Sequence, residues 1–325
     1  MDNKAIYKKT LTFSLRRFLW NVFAFIIIIL VSSAGFFLAD KAANNGLIGL
    51  AIGIIIGIII VAIVSHFFSY IFKAGQIAMM TRAIADGKLP DDVYNEGKKI
   101  VKERFLTVAA YYAVTNVIKG IFNEIGKAIT AVGNAIGGDT GSTIGSIISS
   151  AINVVVGYLC DCCLGWVFYR KDEKSTKATL EGGVLFFKNG KTLAKNLGRI
   201  FGLGTLSLLV VGGVFFGLFY LITLAFPEAF TALANEFTEL AAEDGSMEFL
   251  TNPNDLQLIA AGIGGVIMWL IIHSTFVRPF ILVGVLRNFI ESGMKEKLTE
   301  KEFDELDNKS KKFAKLHQEV RTETK

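Results

Sequence analysis

Histidine, cysteine and proline are scarce in this chain, at three, three and four among 325 residues. The three histidines, His66, His273 and His317, are too far apart for an HExxH pair, and neither a GxSxG elbow nor a GxGxxG opening a soluble helix is present. Gly190-Lys191-Thr192 lacks the earlier glycine of a phosphate loop, because position 185 is Leu. All three cysteines fall within Cys160-Asp161-Cys162-Cys163, which leaves no disulfide framework and no second ligand pair for zinc. They read as small buried thiols. Charge is thin as well, at 19% of the residues, where a soluble domain carries about a quarter. These absences exclude a soluble enzyme and a secreted disulfide scaffold, and the expectation is no enzymatic activity, no cofactor and no metal.

What the chain has instead is 52% hydrophobic side chains and a mean hydropathy of +0.49, collected in continuous blocks of the length a ~30 Å hydrocarbon core demands of a helix. Continuous runs, unlike alternating ones, also exclude an outer-membrane barrel. The fold class expected is all-α, a polytopic membrane bundle, with spans at about 18–39, 47–72, 105–122, 142–169, 200–226 and 256–277.

The stretch 105–122 is short and is interrupted by Asn116 and Lys119, so charge decides its status. If it crosses, both termini and segments 73–104 and 170–199 share one side, with every Lys and Arg except Lys41, Lys119 and Lys127. If it alone does not, Arg170, Lys171, Lys174, Lys177 and their neighbours fall outside, against the positive-inside bias. The expectation is therefore six spans over residues 18–290 in the cytoplasmic membrane, with segment 1–17 and tail 291–325 cytoplasmic. The outer loop 227–255 carries only acidic charge, and Phe230, Leu233, Phe237 and Leu240 recur there at helical spacing, as in a surface-lying helix. The net charge of +5 then reflects topology and contact with an anionic leaflet, and no nucleic-acid partner is expected.

Two cytoplasmic elbows share a logic. Each span leaves through an aromatic-basic end (Phe72-Lys73, Tyr169-Arg170) and the chain returns after a Gly-Lys pair (Gly97-Lys98, Gly190-Lys191). This fits either a parallel duplication or the general character of membrane elbows. Leu180, Val184 and Phe187 give the second elbow an apolar stripe suited to an interfacial helix. In the tail, Thr299 and Glu302 form a capping-box pattern, and Phe303, Leu306, Phe313, Leu316 and Val320 line one face that either docks on the elbows or meets a partner.

Counting by fours from Gly133 gives Gly137, Gly141, Gly145, Ser149, Asn153, Gly157, Asp161 and Gly165 without one bulky side chain. Such a row, a glycine zipper, is either a dry helix-helix seam or a groove wide enough for solute. Gly49, Gly53 and Gly57 make a shorter row in the second span. Asp161 lies ~13 Å inside the cytoplasmic end of its span at 1.5 Å per residue, where an isolated carboxylate costs at least ~2.5 to 3.5 kcal/mol. Either it hydrogen-bonds its helix to a neighbour, or it faces His66 or His273 in a proton- or cation-responsive site, with Arg278 snorkelling or pairing with it. Arg278-Pro279 also predicts a kink.

Two resemblances follow from particular residues. Arg82 to Asp92 (RAIADGKLPDD), followed by Gly97 and a new span, resembles the first cytoplasmic loop of uncharacterised multi-pass bacterial families. The C-terminal half, with its Gly-Ser span ending in clustered cysteines, a Lys-Asn-Gly elbow and Ser207 to Val214 (SLLVVGGV), resembles the terminal membrane region of choline transporter-like proteins. That family's large extracellular loop is missing here. The functional expectation is a transporter-like protein for a small polar or cationic solute, with an inner-half site around Asp161. The alternative is a non-catalytic scaffold or membrane-complex subunit, or a homo-oligomer, assembling through the glycine row, with the lipid bilayer as partner in either case.

Overall fold

A computed structural model gives the backbone of residues 1–43, 45–106, 108–137, 141–188, 196–244 and 248–323. Side chains are described for the same residues apart from 66, 67, 69, 108, 125–137, 141–152, 197, 239–244 and 248. Among these the chain is all-α and divides into two compact units.

The apolar unit comprises Leu15–His66 and Phe201–Arg278. It is built from two helical hairpins. The first joins α2 (Leu11–Ala43) to the start of α3 (Gly46–Asp86). The second runs up through α8 (Leu197–Ser207), a π-helical turn (Leu208–Gly212) and α9 (Gly213–Leu224), then back through α11 (Pro253–Ile272) and a second π turn (His273–Val277). Between the arms of the second hairpin lies α10 (Pro227–Asp244), the expected acidic loop helix, with Phe230, Leu233 and Phe237 half-buried; Leu240 lies outside the described side chains.

Glycine lets the hairpin arms touch through their backbones. A Cβ on Gly49 of α3 would run into the carbonyl of Gly35 on α2, and one on Gly265 would meet the Phe216 backbone nitrogen at 3.0 Å. The Gly49 row is thus a dry seam. Outward, the helices present Leu19, Ile26, Leu30, Ile55, Leu209 and Leu221, side chains that only hydrocarbon would cover at this density.

Among the described residues, four helices are long and apolar enough to cross a membrane: Leu11–Ala43, Gly46–Ser65, Gly198–Leu224 and Pro253–Gly293. In each, between 11% and 33% of the most apolar window is buried by protein. Two of the six expected spans are not among them. Residues 108–122 of the expected span 105–122 fall in α5 (Val108–Gly137), which follows α4 (Val93–Arg104) after a sharp bend and qualifies only if the two are counted as one broken span. Residues 142–169 fall in α6 (Gly141–Tyr169), of which Asn153–Tyr169, the part with described side chains, is apolar.

The polar unit comprises Met1–Ser14, Phe67–Ile200 and Pro279–Lys325 and carries every Lys and Arg except Arg16, Arg17, Lys41 and Arg278. Its core is the second half of α6, where every residue from Tyr158 to Phe168 is buried. Against it pack α7 (Ser175–Lys188) and α12 (Arg278–Gly293): Trp166 donates from Nε1 to Glu181 at 3.1 Å and meets the Phe289 ring edge-on. Met79 of the second half of α3 and Val93 of α4 close on Phe13 of α2. Residue Gly87, at φ 71°, ends α3 in the left-handed conformation, and Asp92 caps α4 by accepting from the Asn95 N–H at 3.0 Å.

The expected stripe of the second elbow is real, but it does not lie on lipid. Leu180 and Val184 are buried, and Phe187 partly so, under Leu306, Phe313 and Leu316 of the tail helices α13 (Glu300–Asp307) and α14 (Lys311–Glu323). The two apolar stripes cover each other, so neither is left for the interface. The capping box forms as expected, with Glu302 accepting from the Thr299 N–H at 2.8 Å. At Pro279 the helix widens instead of breaking. The π turn His273–Val277 directly precedes it, and a wider turn accommodates a ring that would otherwise clash with the carbonyl four residues back.

Candidate functional site

Three helices of the polar unit converge on Asp161. From α3 come Tyr70 and Lys73, one turn apart. From α5 come Tyr111, Tyr112, Thr115, Ile118 and Lys119, which share one face. From α6 come Cys160, Asp161 and Leu164. Together they line a cavity of about 160 Å³. The Asp161 carboxylate is 2% exposed and its Oδ1 lies 2.5 Å from Lys73 Nζ, whose side chain is 32% exposed. The rings of Tyr70 and Tyr111 stand 5.5 Å apart and those of Tyr111 and Tyr112 5.1 Å apart. Phe105 meets Tyr111 edge-on from behind, and Thr115 ties its hydroxyl back to the Tyr111 carbonyl at 3.0 Å.

The buried acid is therefore an ion pair with one half-open partner. The carboxylate is desolvated on the protein side, while its ammonium reaches water. Removing one partner of such a pair leaves an uncompensated buried charge, worth about 3 to 5 kcal/mol. The sequence names Asp161 through its depth; it does not name Lys73, which reads there only as the end of an apolar run.

His273 has a different setting, in the apolar unit. Its Nδ1 lies 3.0 Å from Ser207 Oγ, which also accepts from Trp269 Nε1 at 3.1 Å and lies 2.7 Å from the Gly204 carbonyl. One hydroxyl proton serves one acceptor. If it goes to Gly204, the imidazole must donate from Nδ1. Both π turns adjoin this trio, one following Ser207 and the other beginning at His273. Arg278 is half-buried at the start of α12, and the side chain of His66 lies outside the described residues. Asp161 and His273 are thus each engaged within their own unit.

Of the small-residue row, Gly133, Gly137, Gly141, Gly145 and Ser149 lie outside the described side chains. Asn153 is exposed, Gly157 is half-buried, and Gly165 is sealed against Leu286 and Thr81. The three thiols are buried and not in disulfides, and Cys163 points at the Thr179 carbonyl at 3.6 Å.

A larger groove of about 740 Å³ lies between α3, α4 and the turn after α6. Its arginines are already engaged. Arg82 pairs with Glu96 at 2.8 Å, Arg170 pairs with Glu181 at 2.9 Å, and Arg104 donates to the carbonyls of Arg170, Lys171 and Glu173 at 2.7 to 3.3 Å. Burial lowers the Arg104 pKa against the pull of Asp172. In the tail, Asp304, Asp307 and His317 could together offer a metal three ligand atoms. Arg321, however, sits on Asp304 and Glu300 at 3.0 and 2.7 Å and already supplies the positive charge a metal would bring. No known protein family, curated protein or solved structure matches this chain.

Proposed function

We propose that this chain is a four-span integral membrane protein of transporter type that binds a small polar solute in the cavity beside Asp161, with both termini and the polar unit cytoplasmic. The observation that carries the reading is the Lys73–Asp161 pair, closed on the protein side and open toward a cavity. A buried ion pair adds little over a well-packed apolar one, so its place is better explained by use than by stability. The partly exposed ammonium is the face of the pair that solute can reach.

Charge supports four crossings over six. If residues 105–122 and 142–169 both stay inside, Arg170 and its neighbours remain inside too, and Lys119 and Lys127 join them, leaving Lys41 alone on the far side. The burial of Tyr158 to Phe168 points the same way, because a lipid-facing span would not be wrapped on all sides by its own chain. The scaffold alternative depends on the glycine row, most of which lies outside the described side chains, and the cavity is what supports the transporter reading.

Uptake of a panel of labelled small polar solutes into proteoliposomes tests the proposal. Saturable uptake by the wild type, lost in Asp161→Asn at equal reconstituted yield, is the expected result. A wild type that takes up nothing, or an unaffected variant, overturns it.

A further inference from the structure

Resting on the reading of this cavity as a solute site, we infer that its ligand is an oxyanion of the phosphate class and not a cation. The charge count favours this. The cavity is lined by two ammonium groups, Lys73 and Lys119, and one carboxylate, Asp161. Lys73 and Asp161 cancel each other across 2.5 Å. That leaves Lys119, exposed on α5 and without a carboxylate partner among the described residues, as the unbalanced charge. A cation entering here would meet this ammonium and could reach Asp161, 2% exposed, only by displacing the ammonium already on it. An oxyanion needs no displacement and is attracted by the unbalanced ammonium of Lys119.

The rest of the lining agrees. Tyr70, Tyr111 and Tyr112 bring phenolic O–H groups of the kind that orient phosphate oxygens. At ~30 Å³ per water, the volume of about 160 Å³ holds a phosphate group with a few waters. In the sequence, Tyr70 and Lys73 stand where the apolar run Leu47 to Phe72 ends, the aromatic-basic level at which a span meets headgroups. The phosphate can therefore come from the cytosol or from an anionic phospholipid.

The test uses the full chain in nanodiscs. Inorganic phosphate is titrated by calorimetry into phosphatidylcholine discs, and in a second arm retained phosphatidylglycerol is counted by native mass spectrometry after exchange from mixed discs. Lys119→Gln and Tyr70→Phe are compared with wild type, the second removing one hydroxyl from a buried ring with little risk to folding. Tetramethylammonium is the cation probe. Binding in either arm, weakened at least tenfold by Lys119→Gln and severalfold by Tyr70→Phe, supports the inference, and the arm that responds identifies the source. Binding in neither arm, binding indifferent to both variants, or binding of tetramethylammonium in place of phosphate overturns it. Cation uptake dependent on Asp161 would sink the oxyanion and leave the transporter standing. Phosphate binding without transport would do the reverse.

Discussion

Lys188 of α7 reaches Glu302 of α13 at 2.6 Å and Glu296 at 2.9 Å, and so fastens the C-terminal tail to the second cytoplasmic elbow. Beneath this clasp Phe313 is fully buried against Leu180 and Val184, and on α5 Glu124 accepts from the Ser310 hydroxyl at 2.7 Å. The tail is part of the polar unit's core and not a free arm.

Tail docking should be weakened by acid. The Lys188 ammonium and then the Thr299 N–H hold the Glu302 carboxyl below its ordinary value of 4.5. A depressed carboxyl contributes stability that is present above about pH 4.5 and is lost as pH falls through the lowered value. Lys188 is raised by the same contacts, first by Glu302 and then by Glu296, so its contribution is complete below about 10.5 and is lost as pH rises through its raised value. Hydrogen exchange at the amides of α14 should therefore stay slow across neutral pH and quicken, beyond its intrinsic pH dependence, once Glu302 protonates. Glu302→Gln should exchange faster at neutral pH with a flatter response below it. Identical profiles for variant and wild type would show that the clasp does not hold the tail.

Phe313→Ala should release the same helices at any pH. Emptying a fully buried aromatic site costs ~3 to 5 kcal/mol, and the loss should appear as proteolysis near the Asn308–Ser310 turn while the apolar unit keeps its helicity. Protease resistance equal to wild type would mean that the stripes Leu180–Val184 and Leu306–Phe313–Leu316 are not each other's cover.

The sequence made some of this legible and hid the rest for definable reasons. Apolar run length identified the four helices apolar enough to cross a membrane among the six expected spans, and spacing alone found the tail stripe and the Thr299–Glu302 box, because those signals are local. Composition could not show that the second half of α6 is buried. Cys160 to Phe168 is as apolar as a lipid-facing run, and the α7 and α12 side chains that cover it are distant in sequence. Lys73 was hidden for the opposite reason: its partner Asp161 is distant in sequence, and a lysine after an apolar run has an ordinary explanation as a flank. The Ser207–Trp269–His273 trio and the two π turns beside it left no sequence signal, since a widened turn is written in the tertiary contacts.

Lys73→Met should destabilise the purified protein by about 3 kcal/mol, as expected when a buried carboxylate loses its partner. The double variant Lys73→Met/Asp161→Leu should recover most of that loss, because removing both charges also removes the desolvation cost. Thermal unfolding in detergent, read as a double-mutant cycle, measures the coupling. Additive effects would mean that the pair observed at 2.5 Å is not closed in solution.

Gly49→Leu should open the first hairpin. Its side chain would be driven into the Gly35 carbonyl and the Ala39 methyl, backbone and near-backbone atoms that cannot rotate away. Gly213→Ala, where nothing lies within 4 Å of the added carbon, is the matched control. The first variant should lose yield and thermal stability while the second does not. Equal behaviour would mean that the seam between α2 and α3 is not close-packed.

Four crossings and six differ in where Lys127 lies, and this gives the sharpest check on topology. The three native thiols are buried and should be silent to an impermeant maleimide, so single cysteines can be introduced against a quiet background. With four crossings, Lys127→Cys should label from the same side as Lys315→Cys in the tail, and Lys41→Cys from the opposite side. With six, Lys127→Cys should label with Lys41→Cys. The second pattern would return α5 and α6 to the bilayer, and with them Asp161 and its cavity to a depth where Lys119 could no longer meet a cytosolic phosphate.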